Sequence, residues 1–163
     1  MFQVELENCR LPNTSVESAL FAEGEWYMAV PGGPIQRPLA MMMRPITRTV
    51  HPDDTLLTVA RQLRDARVGA MLVADGGDYV GIVSEADLVR KAMASGAVAE
   101  QVKARAVMSA PIMMIDIAQS AHEASDVMAE RGIRHLVVTE DGQVVGMISV
   151  RDLLRYFKNW GAL

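Results

Sequence analysis

Gly81-Ile82-Val83-Ser84-Glu85-Ala86-Asp87-Leu88 and Gly146-Met147-Ile148-Ser149-Val150-Arg151-Asp152-Leu153 are two copies of one pattern, 65 residues apart. The match runs backwards at the same offset. Val68 to Val73 aligns with Ile133 to Val138, and Asp75 to Val80 aligns with Glu140 to Val145. A repeat of this length implies a duplicated structural unit. Residues 41–97 and 105–160 form the two repeats, residues 98–104 the linker, and residues 1–40 have no internal counterpart.

Each repeat reads as strand, helix, strand, strand, helix. In the first, Ile46 to Val50 is a short extended piece, and Pro52-Asp53-Asp54-Thr55 starts a helix with Asp53 or Asp54 as the expected cap. Leu56, Val59, Ala60 and Leu63 keep a helical period. Ala70 to Ala74 is an apolar run of strand length, and Asp75-Gly76-Gly77-Asp78 then predicts a hairpin into Tyr79 to Val83. The closing helix is expected over about Glu85 to Met93. The second repeat follows the same order, with Ala121, Ala124, Val127 and Met128 on its helix and a turn at Asp141-Gly142. One such unit buries little, whereas two can stack into a mixed α/β (α+β) fold with pseudo-twofold symmetry. In the first 40 residues, Phe2, Val4 and Leu6 alternate with polar residues as in a strand. Thr14 to Glu17 suits a capping box opening a helix through Phe21, and Glu25 to Val30 suits another strand.

Half of the 163 residues are apolar and 22% are charged, which is a globular balance. The net charge of −4 disfavours binding to nucleic acid through a general basic field. Cys9 is the single cysteine, which suits a reducing cytoplasm. No run approaches the roughly 18–20 apolar residues of a membrane span, and Met1 to Glu5 does not read as a signal peptide.

The repeated Gly-apolar-apolar-Ser-x-x-Asp pattern has two chemical readings. Ser84 and Ser149 fall at helix N-caps with Asp87 and Asp152 three residues on, which is a capping box worth about 1 kcal/mol. The same geometry suits a nucleotide. Free N–H groups at a helix N-terminus and a serine hydroxyl favour phosphate, and a first-turn aspartate can accept both hydroxyls of a ribose. Gly81 and Gly146 would then let a ligand approach the backbone closely.

The tandem unit resembles the cystathionine β-synthase (CBS) domain family, and the pair resembles a Bateman module. The likeness is carried by Met43-Arg44-Pro45-Ile46 to Asp87-Leu88 and by Val107-Met108-Ser109-Ala110-Pro111-Ile112 to Asp152-Leu153-Leu154. It covers about three quarters of the chain. The resemblance implies two clefts for adenosine-containing ligands such as AMP, ADP, ATP or S-adenosylmethionine. It carries the ribose acid onto Asp87 and Asp152, the phosphate hydroxyl onto Ser84 and Ser149, and the base pocket onto Val68 and Ile133.

The repeats differ in charge. Arg134-His135 aligns with Gly69-Ala70, and Thr49 aligns with Met114. Arg134 offers a bidentate phosphate contact and His135 a proton-dependent one, so the clefts are expected to be unequal, with an anion near Arg134, Ser149 and Asp152. The alternatives are a surface salt bridge for Arg134 and plain solvent exposure for Arg151. His51, His122 and His135 lack metal-ligand spacing. Neither Ser84 nor Ser149 has a neighbouring His or a nucleophile-elbow motif, so no catalytic residues or required cofactor are expected. The resulting expectation is a non-enzymatic adenosine-ligand sensor, homodimeric, acting on an effector protein. The alternative is a ligand-free docking module whose motif residues serve only as caps.

Overall fold

The computed structural model describes residues 38–160. The strands expected at Phe2 to Leu6 and Glu25 to Val30, the helix expected from Thr14 to Phe21, and Cys9 lie outside the described residues. The elements are α1 (Pro38–Met42), β1 (Thr49–Val50), α2 (Leu56–Ala66), β2 (Ala70–Asp75), β3 (Asp78–Ser84) and α3 (Glu85–Asp87). The helix of α3 continues as a π segment, Leu88–Ala92, and a 3-10 turn, Met93–Ser95. Then follow a 3-10 turn at Ala104–Ala106, β4 (Met114–Asp116), α4 (Ala121–Arg131), β5 (His135–Glu140), β6 (Gln143–Ser149) and α5 (Val150–Trp160).

Two three-stranded sheets result, ordered β1-β2-β3 and β4-β5-β6. In each, the central strand pairs parallel with the short first strand and antiparallel with the third. The central strands are apolar runs because both faces are covered: Ala70 to Val73 and Leu136 to Val138 are buried. The expected hairpins are present. Asp141 and Gly142 both have positive φ, 50° and 75°, as a two-residue hairpin loop of right-handed twist requires.

Helix α2 buries Leu56, Val59 and Leu63, the stripe its period predicts. Its cap is Thr55 and not Asp53 or Asp54. The Thr55 hydroxyl accepts the Thr58 N–H at 3.2 Å, while Asp54 accepts the N–H of His51 at 2.8 Å. The run of acids points to the right turn but one or two residues early. The piece expected at Ile46 to Val50 pairs only over Thr49–Val50. Pro45 has no N–H to donate, and Arg44 is already bridged elsewhere, to Met147.

That bridge organises the fold. Arg44 pairs antiparallel with Met147 of β6, and its counterpart Ser109 pairs with Ile82 of β3. The segment leading into each repeat therefore lies on the last strand of the other. The two hydrophobic cores follow the same exchange. Leu39 of α1 is wholly buried among Ile115, Leu136, Ile148 and Leu153 of the second repeat. Ala104 and Val107 are buried among Val50, Val59, Met71 and Val83 of the first.

Gly81 and Gly146 are the crossing points. A Cβ at position 146 would lie 2.8 Å from the Arg44 carbonyl oxygen and 3.0 Å from the Met43 sulfur. One at position 81 would lie 2.8 Å from the Met108 sulfur and 3.2 Å from the Ser109 carbonyl oxygen. The space in front of each glycine, expected to admit a ligand, is filled by the other repeat's lead-in strand.

This contact predicts unequal costs for the same change. Gly146→Ala meets backbone and should lower unfolding free energy by about 2–3 kcal/mol, whereas Gly81→Ala meets first a flexible thioether and should cost about 1 kcal/mol. Urea denaturation of both variants checks the order.

Candidate functional site

Both serine–aspartate pairs close the capping box expected of them. The Asp87 carboxylate accepts the Ser84 N–H at 2.9 Å, and the Ser84 hydroxyl accepts the Asp87 N–H at 3.3 Å. In the second repeat the corresponding distances are 3.0 and 3.4 Å. Each carboxylate is buried, at 9% and 7% exposure, and spends one oxygen on its own helix start. The remaining oxygen decides what each aspartate can do.

In the first repeat that oxygen is locked. Asp87 Oδ1 pairs with Lys91 Nζ at 2.8 Å and accepts the Ser109 hydroxyl at 3.1 Å. Lys91 also donates to the Val107 carbonyl at 2.8 Å and to the Ser109 hydroxyl at 2.9 Å. All three ammonium protons have partners. Burial pushes the Asp87 carboxyl up, but Lys91 and Ser84 outweigh it and hold the group below the ordinary carboxylate range. Hydrogen bonds to charged groups are each worth about 1.5–3 kcal/mol before solvent screening, so a ribose displacing Lys91 would lose most of what it gained.

In the second repeat the equivalent oxygen, Asp152 Oδ1, accepts one bond, from Arg44 Nε at 3.1 Å. The Arg44 side chain is 53% exposed. A ligand that offers the buried Asp152 another donor therefore displaces one bond, from a half-exposed guanidinium, where at Asp87 it would displace two.

Two clefts flank the repeat interface. The first, about 350 Å³, is bounded by residues 44–48 and 66–72 on one side and by Arg134, His135 and residues 147–152 on the other. It brings together Val68, Arg134, His135, Ser149 and Asp152 from the residues singled out in the sequence. The second, about 380 Å³, holds Ser84, Asp87 and Ile133, with Arg134 and His135 reaching it as well. Thr49 lines neither cleft. It is exposed on β1, paired with Leu72, and Thr47 lies at the first cleft instead. Side chains two apart share a strand face but sit about 6.6 Å from each other, which moves Thr49 beyond the lining. Gly81 and Gly146 also lie outside both linings.

Several residues of the first cleft were not legible as site residues. Arg44, Arg48 and Arg67 line it, and so does Arg151, which is exposed but faces the cleft mouth. Arg67 caps α2 in the left-handed region at φ 54°, where the second repeat uses Gly132 at φ 62°. A side chain there costs about 1 kcal/mol.

His135 sits on Gly69 across the repeat interface. A Cβ at position 69 would lie 3.2 Å from its Nε2. The pairing of Arg134-His135 with Gly69-Ala70 is thus partly a matter of shape: the imidazole needs the space that glycine leaves. Burial pushes the His135 pKa down, Arg134 adds to the effect, and Asp152 and Glu85 oppose it incompletely. Among the described residues no cluster of three or more His, Cys, Asp or Glu is placed to hold a metal ion. No described helix is long and apolar enough to cross a membrane.

Comparison with known proteins agrees with this architecture. The family model described as CBS domain matches twice, over residues 39–94 and 104–159. An uncharacterized protein of Methanopyrus kandleri is 30% identical over 109 residues, covering 66% of this chain and 56% of that protein. The chain thus spans little more than half of that relative. A protein of Burkholderia ambifaria with CBS domains superposes with a TM-score of 0.65 at 31% identity, over 66% of this chain and 79% of that one. A hexameric CBS-CP12 protein from bloom-forming cyanobacteria shares the fold, with a TM-score of 0.64 at 22% identity, over 70% and 67% of the two chains.

The His135 environment predicts a pH effect. The folded pKa lies below the ordinary 6.5, so the unfolded chain takes up the proton first. Stability is then full above pH 6.5 and falls with acidification until the folded pKa is passed. His135→Gln should flatten thermal stability against pH just below 6.5, measured by calorimetry.

Proposed function

Because the chain belongs to the CBS domain family, we propose that it is a regulatory module that binds an adenosine-containing nucleotide in the first cleft. The observation that carries this reading is the contrast between the two aspartates. Asp152 is buried, oriented by Ser149, and held by a single exchangeable guanidinium. A ribose would take the place of Arg44 at Asp152. A phosphate would receive the Ser149 hydroxyl and the Arg134 guanidinium. The base would lie against Val68 and Ile46 in the apolar part of the lining. Asp87, pinned by Lys91, belongs to a second cleft that stays unused.

The output is conformational and not catalytic. The first cleft has walls from both repeats, so a ligand preferring one inter-repeat angle shifts the population toward it. An effector protein reads that angle. A homodimer is the assembly we favour. Val89 is 55% exposed on the first repeat's closing helix, Met93 is 71% exposed beside it, and Leu154, at the position equivalent to Val89, is 64% exposed. Apolar side chains at equivalent positions of both closing helices suit a second copy. A Val89→Glu, Leu154→Glu double variant should halve the mass seen by light scattering, and an unchanged mass would place the contact elsewhere.

The completed capping boxes favour a second reading, in which the motif is purely structural and the chain docks on a partner without ligand. Isothermal titration calorimetry with AMP, ATP and S-adenosylmethionine separates the two. In the first reading at least one ligand binds saturably, and Asp152→Ala abolishes binding while costing about 1 kcal/mol of stability as a lost cap. In the second, no heat appears with any of the three and Asp152→Ala costs only stability.

A further inference from the structure

The duplicated fold contains its own control. Five arginines line the first cleft: Arg44, Arg48, Arg67, Arg134 and Arg151. At the offset of 65 residues their counterparts are Ser109, Met113, Gly132, Gly69 and Ala86. None of the five is charged. The same backbone frame is built on the other side without a single guanidinium at these places, so the fold does not require them.

Their placement is also costly. Arg67 occupies a left-handed position that its counterpart fills with glycine. Only Arg44 of the five makes an ion pair with another described residue, to Asp152. Arg48, Arg67, Arg134 and Arg151 converge on about 350 Å³ with no carboxylate of the described residues within 4 Å. The lining carboxylates are Glu85 and Asp152, so five guanidinium groups face two acids, a surplus of three positive charges. The whole chain carries −4. A concave site of one sign focuses its field on a ligand of the other.

From this we infer that the first cleft selects a ligand bearing a chain of two or more phosphates, a nucleoside di- or triphosphate over a monophosphate or a cationic sulfonium nucleoside, with Arg67 and Arg151 reading the distal phosphates. The inference rests on the first cleft being the nucleotide site. One phosphate is served by Ser149 and Arg134, which flank the start of α5. Arg67 comes from the end of α2 and Arg151 from the first turn of α5 at the exposed mouth of the cleft, so they remain for charges further along the chain of phosphates. Arginine suits this task because its planar fork bridges two phosphate oxygens at once.

The test is titration calorimetry of the intact protein with AMP, ADP, ATP and inorganic tripolyphosphate. It is repeated on Arg67→Gly, Arg151→Ala, a double variant that installs the residues of the other repeat and relieves the left-handed strain. The expected result is ATP or ADP bound at least tenfold tighter than AMP, with tripolyphosphate competing. The double variant should lose at least tenfold for ATP and stay within twofold for AMP. AMP bound as tightly as ATP by the unaltered protein, or equal losses for both in the variant, would overturn the inference while leaving a nucleotide site. Tripolyphosphate bound without any adenine nucleotide would support the phosphate-chain selection and sink the nucleotide reading. No heat with any of the four would overturn both.

Discussion

The carbonyl oxygen of Arg44 lies where a side chain at position 146 would be, and the rest of the structure follows from that contact. The close approach lets the first lead-in strand cross onto β6 and carries Leu39 into the second repeat's core. It sets Arg44 beside Asp152 and makes residues 44–48 one wall of the first cleft. Its counterpart at Gly81 does the same for Ser109 and the second cleft. Because each cleft has walls from both repeats, the shape of the cavity and the angle between repeats are one variable.

The serine and aspartate of the motif cap their helices and face the clefts with the same side chains. For the aspartate these roles do not compete, since the cap uses one carboxylate oxygen and leaves the other, whereas each serine hydroxyl donates its proton to that capping oxygen and would have to turn it toward a phosphate. What distinguishes the clefts is the neighbour of the second oxygen. Lys91 sits one helical turn beyond Asp87, whereas the equivalent position after Asp152 is Tyr156. Two differences between the copies, Lys91 against Tyr156 and Ser109 against Arg44, thus leave two bonds on the free oxygen of Asp87 and one on that of Asp152.

The repeat, the hairpins, the helical stripes and both capping boxes were legible because each is a local pattern within a few residues. Asp53 and Asp54 misled by two positions and one, as acids crowd the start of α2 but Thr55 has the cap geometry. The crossing was not legible. Arg44 and Met147 are far apart in sequence, and nothing local to Gly146 says whether a ligand or a strand fills the space before it. Thr49 failed for a related reason, since where the strand meets the cleft depends on the crossing at Arg44. The arginines were present in the alignment of the two repeats, but only the folded chain shows that all five fall on one cleft.

The exchanged lead-ins impose an order on folding. The bond from Arg44 to Asp152 spans 108 residues. Synthesis from the N-terminus makes α1 before either repeat, with Leu39, Met42 and Met43 belonging to a core whose other members come from the second repeat. The first repeat needs only Ala104 and Val107, which follow it directly, so it can close during synthesis. The second must retrieve a segment that precedes the first repeat, a long loop closure that slows the step. Until then the apolar side chains of α1 lack their partners in the second repeat, and neither repeat cut out by itself would carry the residues that complete its interior.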